Sequence, residues 1–379
     1  MNFSDVLGKG LSLLDRNHQK RSLRFIQSMP GPRMLLQDRT LVNFASNNYL
    51  DLAGDERVIL AGQKALGRWG AGATGSRLMG GTLGIHRELE NELASLKETE
   101  ASLVFPSGYH ANLGMISALV NPDDVVVLDR LAHASLVDGA RLSKASLRVF
   151  RHNDANHLAH VLKKLTGFQT MWVITESVFS MDGDRAPLLD LLQVCEKFGA
   201  RFYVDEAHAT GVWGGGRGCV NALGLSARVD VCMGTLSKAL GTQGGFVAGS
   251  KSLIEWGINR ARAFIYSTAL SPSSTGAALE ALKISREEPW RRERLFWLSQ
   301  RLRQGLGVVG EGPIVPVLVG GDEDVLALGD RLRDAGFLAP AVRPPTVPRG
   351  TARLRISLTA GHSEEEVDGL VNAIKGCSL

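Results

Sequence analysis

Between residues 100 and 250 the chain keeps switching between short apolar runs and segments of helical or turn character. The runs lie at 102–105, 125–128, 147–150, 172–175, 202–204, 229–233 and 246–248. Repeated strand–helix alternation predicts an α/β fold, a mostly parallel, doubly wound sheet with helices on both faces. In such sheets ligands collect at the carboxyl ends of the strands. Glu176, Asp205 and Thr235 fall at such ends.

The pattern is looser on either side. Residues 4–29 have broadly helical spacing (Val6, Leu7, Leu11 and Leu14, then Leu23, Phe25 and Ile26), ended by Met29-Pro30-Gly31-Pro32. Short strands are predicted at 34–36 and 41–44, and helices at 56–68 and 86–97 around a glycine-rich loop at 70–75. After 250 come helices at 251–266 and 274–308, a strand at 314–319, a helix at 323–335, strands near 338–343 and at 354–358, and a helix at 363–376. This predicts an N-terminal helix with short strands (1–45), a large α/β domain (46–270) and a smaller α+β C-terminal domain (271–379). Pro344, Pro345 and Pro348 fix their own φ and restrict the residue before each, which predicts a stiff, extended segment at 343–348.

The chemistry concentrates at Lys238. It stands in Gly234-Thr235-Leu236-Ser237-Lys238-Ala239-Leu240-Gly241, followed by Gly244-Gly245. Upstream, the run at 202–204 ends in Asp205-Glu206-Ala207-His208. A lone Ser-Lys is ordinarily a surface pair, and a lone Asp-x-x-His a structural one. In this order, after apolar strands, they match what a pyridoxal phosphate site needs. The lysine forms an imine with the aldehyde, the acid keeps the pyridine nitrogen protonated, and hydroxyls and glycine amides suit the phosphate.

Two other motifs lack their context. Gly70-Ala71-Gly72-Ala73-Thr74-Gly75 spells a dinucleotide fingerprint, but a helix-like stretch precedes it instead of a strand. Asp205-Glu206-Ala207-His208 spells a helicase box, but no phosphate loop G-x-x-x-x-G-K-[ST] accompanies it. Net charge is +4 and no dense Lys/Arg run appears, which argues against a nucleic-acid partner; Arg141 to Arg151 is mildly basic and suits an acidic ligand. Cys195, Cys219, Cys232 and Cys377 show no C-x-x-C spacing, so they read as reduced thiols, with no metal site. The first twenty residues contain no uninterrupted apolar region and no membrane-length apolar stretch exists, so a cytoplasmic protein is expected.

From about residue 20 to 375 the chain resembles the α-oxoamine synthases, a family of fold-type I pyridoxal phosphate enzymes. The segments that carry the resemblance are Ser46-Asn47-Asn48-Tyr49-Leu50, Gly75-Ser76-Arg77 through Gly81-Thr82 and His86, Ser107-Gly108-Tyr109-His110-Ala111-Asn112, Asp129 through His133-Ala134-Ser135, Glu176 through Asp184, the Asp205–His208 box, the Lys238 loop and Tyr266-Ser267-Thr268. Two segments depart from the family pattern. Asn48 and Asp51 stand where the family usually has Ser-Asn-Asp-Tyr-Leu-Gly, and Ala209 replaces the usual glycine or small polar residue after the box.

The resemblance implies a fold-type I transferase with a large sheet domain and a smaller C-terminal one. It implies that Lys238 carries the cofactor and then acts as base, Asp205 pairs with the pyridine nitrogen, His208 and Ser180 bond the ring's phenolic oxygen, and His133 stacks on the ring. The phosphate is expected on the helix-starting amides of Gly108 and Tyr109, on Thr235, and on Ser267 and Thr268 of a partner subunit, which implies a homodimer with composite sites. Arg355 is the expected partner of the amino-acid carboxylate, Asn47 contacts the same end, and Thr346 and Arg24 line the acyl path. Strand alternation alone does not choose between Arg353 and Arg355, which share a face. Arg343-Pro344-Pro345-Thr346-Val347-Pro348 and Gly350 through Leu358 look most like the branch that condenses L-alanine with a pimeloyl thioester, carried on coenzyme A or an acyl carrier protein, in biotin biosynthesis. Sister enzymes take glycine or serine with another acyl-CoA, and an aminotransferase on the same fold would need no thioester.

Overall fold

A two-residue turn sets up the first sheet. In the computed structural model, which describes residues 2–16 and 19–377, helix α1 (Phe3–Arg16) is followed by strands β1 (Arg33–Leu36) and β2 (Arg39–Asn43), paired antiparallel. Gln37 and Asp38 between them have φ of 50° and 59°, the left-handed pair whose twist suits a hairpin. Of the helix expected over 4–29, residues 4–16 are helical and residues 17 and 18 lie outside the described residues. Residues 19–29 are non-helical because Ile26 bridges to Leu36 and Gln27 N donates to Leu35 O, which draws the segment along β1.

The chain falls into two compact units, Asn47–Arg294, and Met1–Ser46 with Leu295–Leu379. The larger begins with α2 (Glu56–Trp69) and α3 (Gly84–Lys97). Then come β3 (Ala101–Phe105), α4 (Gly108–Leu119), β4 (Val125–Asp129), α5 (Ala134–Leu142), β5 (Ser146–Phe150), α6 (Ala155–Lys163), β6 (Met171–Glu176), α7 (Leu188–Phe198) and β7 (Arg201–Asp205). After the short α8 (Cys219–Ala222) follow β8 (Val231–Thr235), β9 (Gly245–Gly249), α9 (Lys251–Arg260), α10 (Arg262–Ile265) and α11 (Pro272–Glu287).

All seven apolar runs join one sheet of order β3-β9-β8-β7-β6-β4-β5. β4 to β8 run parallel, as alternation with helices requires, while β9 is antiparallel to both β8 and β3. Residues 236–244 are too short a link for the helical crossover that a parallel partner needs, so β9 reverses. One face of the sheet (Val126, Leu128, Ile174, Tyr203, Met233, Val247) packs on α4 and α5 through Ala111, Met115, Ile116, Leu136 and Ala140.

The expected domain border at 271 falls inside the larger unit. A Cβ on Gly276 of α11 would lie 2.5 Å from the Ala65 Cβ of α2, so close helix packing holds this segment there. The helix expected over 274–308 is two, α11 and α12 (Trp290–Leu306), since Pro289 lacks the N–H a continuous helix needs.

In the other unit, β10 (Ile314–Gly320), α13 (Asp322–Asp334), β11 (Phe337–Leu338), β12 (Ala341–Val342), β13 (Ala352–Ser357) and α14 (Glu364–Gly376) complete the chain. β13 lies between β10 and β12, while β11 extends the hairpin beside β2. Pro340 separates β11 from β12 where one strand was expected. Residues 343–348 are not an extended wall: Thr346 N donates to Arg343 O at 3.1 Å, so the segment turns. Among the described residues no helix is long and apolar enough to cross a membrane.

Candidate active site

Asp205 ends β7, the middle strand of the sheet, and is 4% exposed. Its Oδ2 accepts from Asn112 Nδ2 and its Oδ1 from Ala207 N, each at 2.8 Å. Asn112 is itself fixed: Tyr203 Oη donates to its Oδ1 (2.8 Å) and its Nδ2 also donates to Ser135 Oγ (2.8 Å). With both its lone-pair side and its two N–H groups committed, Asn112 has one orientation. Among the described residues the hydrogen bonds to this buried carboxylate come from neutral donors.

The same chain of bonds reaches His133, the N-cap of α5. Ser135 Oγ lies 2.8 Å from His133 Nδ1, and Ser135 N donates to that nitrogen at 3.2 Å. Nδ1 is therefore an acceptor, and the neutral ring carries its proton on Nε2. Burial first, and then the charge of Lys238, hold the imidazole below its usual pKa, against the pull of Asp205. His133 N donates to Glu176 Oε1 at 2.7 Å. Glu176 pairs in register with Asp205 on the adjacent strand, and burial, then the charge of Asp205, push its carboxyl well above the usual range. Lys238 acts on both groups, disfavouring the imidazolium and favouring the carboxylate, which brings its charge to the same strand ends.

His208 follows on the turn after β7, with Nδ1 2.7 Å from Tyr49 Oη. That hydroxyl donates to Asn47 Oδ1 at 3.2 Å, so Tyr49 joins two of the expected site residues. Ala209 is fully buried. Thr235 Oγ1 donates to Gly244 O at 2.8 Å and also lies 2.8 Å from Ser237 Oγ, tying the two ends of the Lys238 loop. Gly108 opens α4, where a Cβ would stand 2.8 Å from Met233 Cε and 3.5 Å from Thr235 Oγ1. The first amides of α4 are thus carried up to the end of β8. Tyr109 is exposed and its hydroxyl donates to Asp138. Ser180 is half-buried on the loop after β6.

Ser267 and Thr268 lie in a segment tied to the glycine-rich loop, since Thr268 bridges Ser76 and Ala269 N donates to Gly75 O. That loop follows the helix α2, not a strand. In the other unit, Arg355 and Arg353 are buried on β13; Arg355 Nη1 donates to Ser357 Oγ at 2.7 Å and Arg353 Nε to Thr351 O at 2.9 Å. Thr346 is exposed and accepts from Arg21 Nη2, and Arg24 is exposed.

Three sets of contacts escaped the reading of the sequence. Asn112 is a polar residue beside Ala111, Met115 and Ile116 on the buried side of α4, which is the signal that marks it. Glu206, next to Asp205, faces away and is fully buried against Lys97, whose Nζ donates to Glu206 Oε2 (2.7 Å), Thr210 Oγ1 (3.0 Å) and Arg217 O (2.6 Å). The departures at 48 and 51 form one unit. Asn48 Oδ1 accepts from Leu52 N and Ala53 N, while its Nδ2 donates to Asp51 Oδ1 at 3.3 Å. Asp51 has φ 55°, a conformation that glycine takes freely and aspartate tolerates. Burial raises its pKa, and an amide at 48 meets it with a donor where a second carboxylate would repel it.

Residues 39–374 match the family model for aminotransferase class I and II. The 8-amino-7-oxononanoate synthase of Anaeromyxobacter dehalogenans (strain 2CP-1) is 48% identical over 377 residues, covering 98% of this chain and 94% of its own. Among solved structures, a serine palmitoyltransferase from S. paucimobilis with bound PLP–myriocin aldimine is similar with a TM-score of 0.92 at 32% identity, over 98% of this chain and 96% of that one. The 8-amino-7-oxononanoate synthase of Francisella tularensis is similar with a TM-score of 0.75 at 28% identity, over 89% and 97%. The chain therefore belongs to the class I and II aminotransferase family of fold-type I enzymes, in the branch of the 8-amino-7-oxononanoate synthases.

Proposed function

We propose that the protein condenses L-alanine with a pimeloyl thioester, with loss of carbon dioxide, to give 8-amino-7-oxononanoate for biotin biosynthesis, using pyridoxal 5'-phosphate. The observation that carries the cofactor assignment is Asp205. A buried carboxylate bonded by neutral donors is costly unless a cation meets it. A protonated pyridine nitrogen is such a cation. The first amides of a helix have no acceptor within it, and at α4 those of Gly108 and Tyr109 suit a phosphate dianion.

Lys238, Asp205, His208, Ser180, His133, Gly108, Tyr109 and Thr235 would hold the cofactor, with Ser267 and Thr268 from a second copy. The bound cofactor supplies an electron sink for the pair left at the amino-acid α-carbon. Asp205 keeps the ring nitrogen protonated by its fixed charge. Lys238 Nζ takes the α-proton of alanine and later returns one. His133, neutral with its proton on Nε2, presents a ring face and a donor without adding a positive charge. Arg355 offers two parallel N–H groups to the alanine carboxylate, Asn47 binds the same end, and Thr346 and Arg24 border the acyl chain. The thioester is carried on coenzyme A or an acyl carrier protein. Unpaired thiols at all four cysteines accord with a cytoplasmic site of action.

Mass analysis of the product tests the substrate assignment. Alanine with pimeloyl-CoA should yield 8-amino-7-oxononanoate and carbon dioxide at a higher kcat/KM than glycine with acetyl-CoA or serine with palmitoyl-CoA. A higher value for either sister pair would overturn the substrate assignment, and pyruvate without thioester consumption would mark an aminotransferase. A methyl group in a pocket discriminates by only ~1–3 kcal/mol, so paired-substrate competition is the sensitive form of the assay.

A composite dimeric site predicts complementation. Lys238→Ala mixed with a Ser267→Ala/Thr268→Ala variant should regain activity, because one of the two heterodimer sites is intact. A monomer of full activity in sedimentation would refute the dimer.

A further inference from the structure

We propose that His152 is a positioning residue that fixes the turn presenting His133 against the loop presenting Ser180. The inference rests on the active-site assignment above only for the purpose these two loops serve. His152 lies just after β5, with Nδ1 2.8 Å from Asp129 Oδ1 and Nε2 2.7 Å from Asp184 Oδ2. Asn153 Nδ2 also lies 3.2 Å from Nε2 but donates to Asp184 Oδ2 at the shorter 2.7 Å, so each ring nitrogen has a carboxylate as its nearest partner, the arrangement that an imidazolium with two N–H groups satisfies and a neutral ring with one does not. The ring meets that of Phe179 edge-to-face, at 4.4 Å between centroids.

Each carboxylate organises one loop. Asp129 ends β4, and its side chain is fully buried. Its Oδ1 also accepts from Leu131 N (2.8 Å) and its carbonyl from Ala132 N (3.1 Å), the turn that leads to His133. Asp184 closes the loop that holds Ser180: its carbonyl accepts from Phe179 N (3.0 Å), Gly183 N donates to Phe179 O (2.8 Å), and Val178 bridges Arg185. Asn153 braces both sides, with its N donating to Asp129 Oδ2 (3.0 Å) and its Nδ2 to Asp184 Oδ2 (2.7 Å). One cation between two acids thus sets the distance between the loops. The two carboxylates raise the imidazole pKa to about 10 against the opposing effect of burial, so the tie is charged throughout the neutral range.

Two measurements test this. In the wild-type chain, ¹⁵N shifts of a selectively labelled His152 should show both ring nitrogens protonated at pH 8; a singly protonated ring would overturn the proposal. In the cofactor-free full chain, His152→Phe should raise amide exchange at 130–134 and 178–185 together, by roughly tenfold or more, with His152→Gln intermediate. A change in one segment alone, no change in either, or an even rise across the whole sheet would overturn it. The apparent Kd for pyridoxal phosphate should rise by a similar factor. Loosening of both loops with an unchanged Kd would uphold the tie and instead remove His133 and Ser180 from the cofactor site.

Discussion

Lys238→Ala should abolish turnover while leaving a folded protein that still takes up pyridoxal phosphate weakly. The lysine is assigned two tasks, covalent attachment and proton transfer. Loss of a positioned general base alone costs about 10²- to 10⁴-fold, and loss of the covalent link adds to that. Fold should persist because Lys238 is half-buried on a loop whose two ends are tied together by Thr235 and Gly244. Borohydride reduction followed by peptide mapping provides the check. The adduct should map to residue 238 in the wild type and vanish in the variant. An adduct on another lysine would place the site elsewhere.

Asp205→Asn should keep the fold and lose most α-proton removal, on the order of 10²- to 10³-fold, the cost of removing one fixed electrostatic partner from a reacting centre. In the proposed site the neutral amide would no longer hold the ring nitrogen protonated. It also disturbs the site locally. Asp205 now accepts from both Asn112 Nδ2 and Ala207 N, whereas an amide has one oxygen, so one donor is left facing an NH₂ group. An unsatisfied buried donor costs ~1–3 kcal/mol, small enough for the chain to survive. Exchange of the alanine α-proton in deuterated water isolates this step, since it needs no thioester. Near-normal exchange in Asp205→Asn would remove the assigned role.

The central sheet was legible in the sequence because a buried parallel strand writes itself locally, as a short apolar run. Strand ends then placed Asp205 and Thr235, and the glycine at 108 marked the start of α4. What the local pattern does not carry is pairing between distant positions. Asn112 earns its importance from Asp205, and Lys97 from Glu206, partners far along the chain. Periodicity likewise extended a helix through residues 19–29, where the edge of β1 competes for the backbone, and the fixed φ of the prolines suggested a straight segment at 343–348, where the Thr346 N to Arg343 O bond closes a turn. Glycine at 276 lets α11 approach α2 closely, a contact that composition does not announce.

Neighbouring residues 205 and 206 look in opposite directions, and this bears on how a mutational screen of the protein would be read. Substitutions at Lys97 leave the Glu206 charge stranded in the interior, a fault costing ~3–5 kcal/mol, at the root of the turn that holds Asp205 and His208. In a growth selection such variants would score with the nulls at Lys238. Abundance, measured beside activity, would part the two classes: Lys238 variants would accumulate as inert protein, while Lys97 variants would be scarce, each surviving molecule close to fully competent.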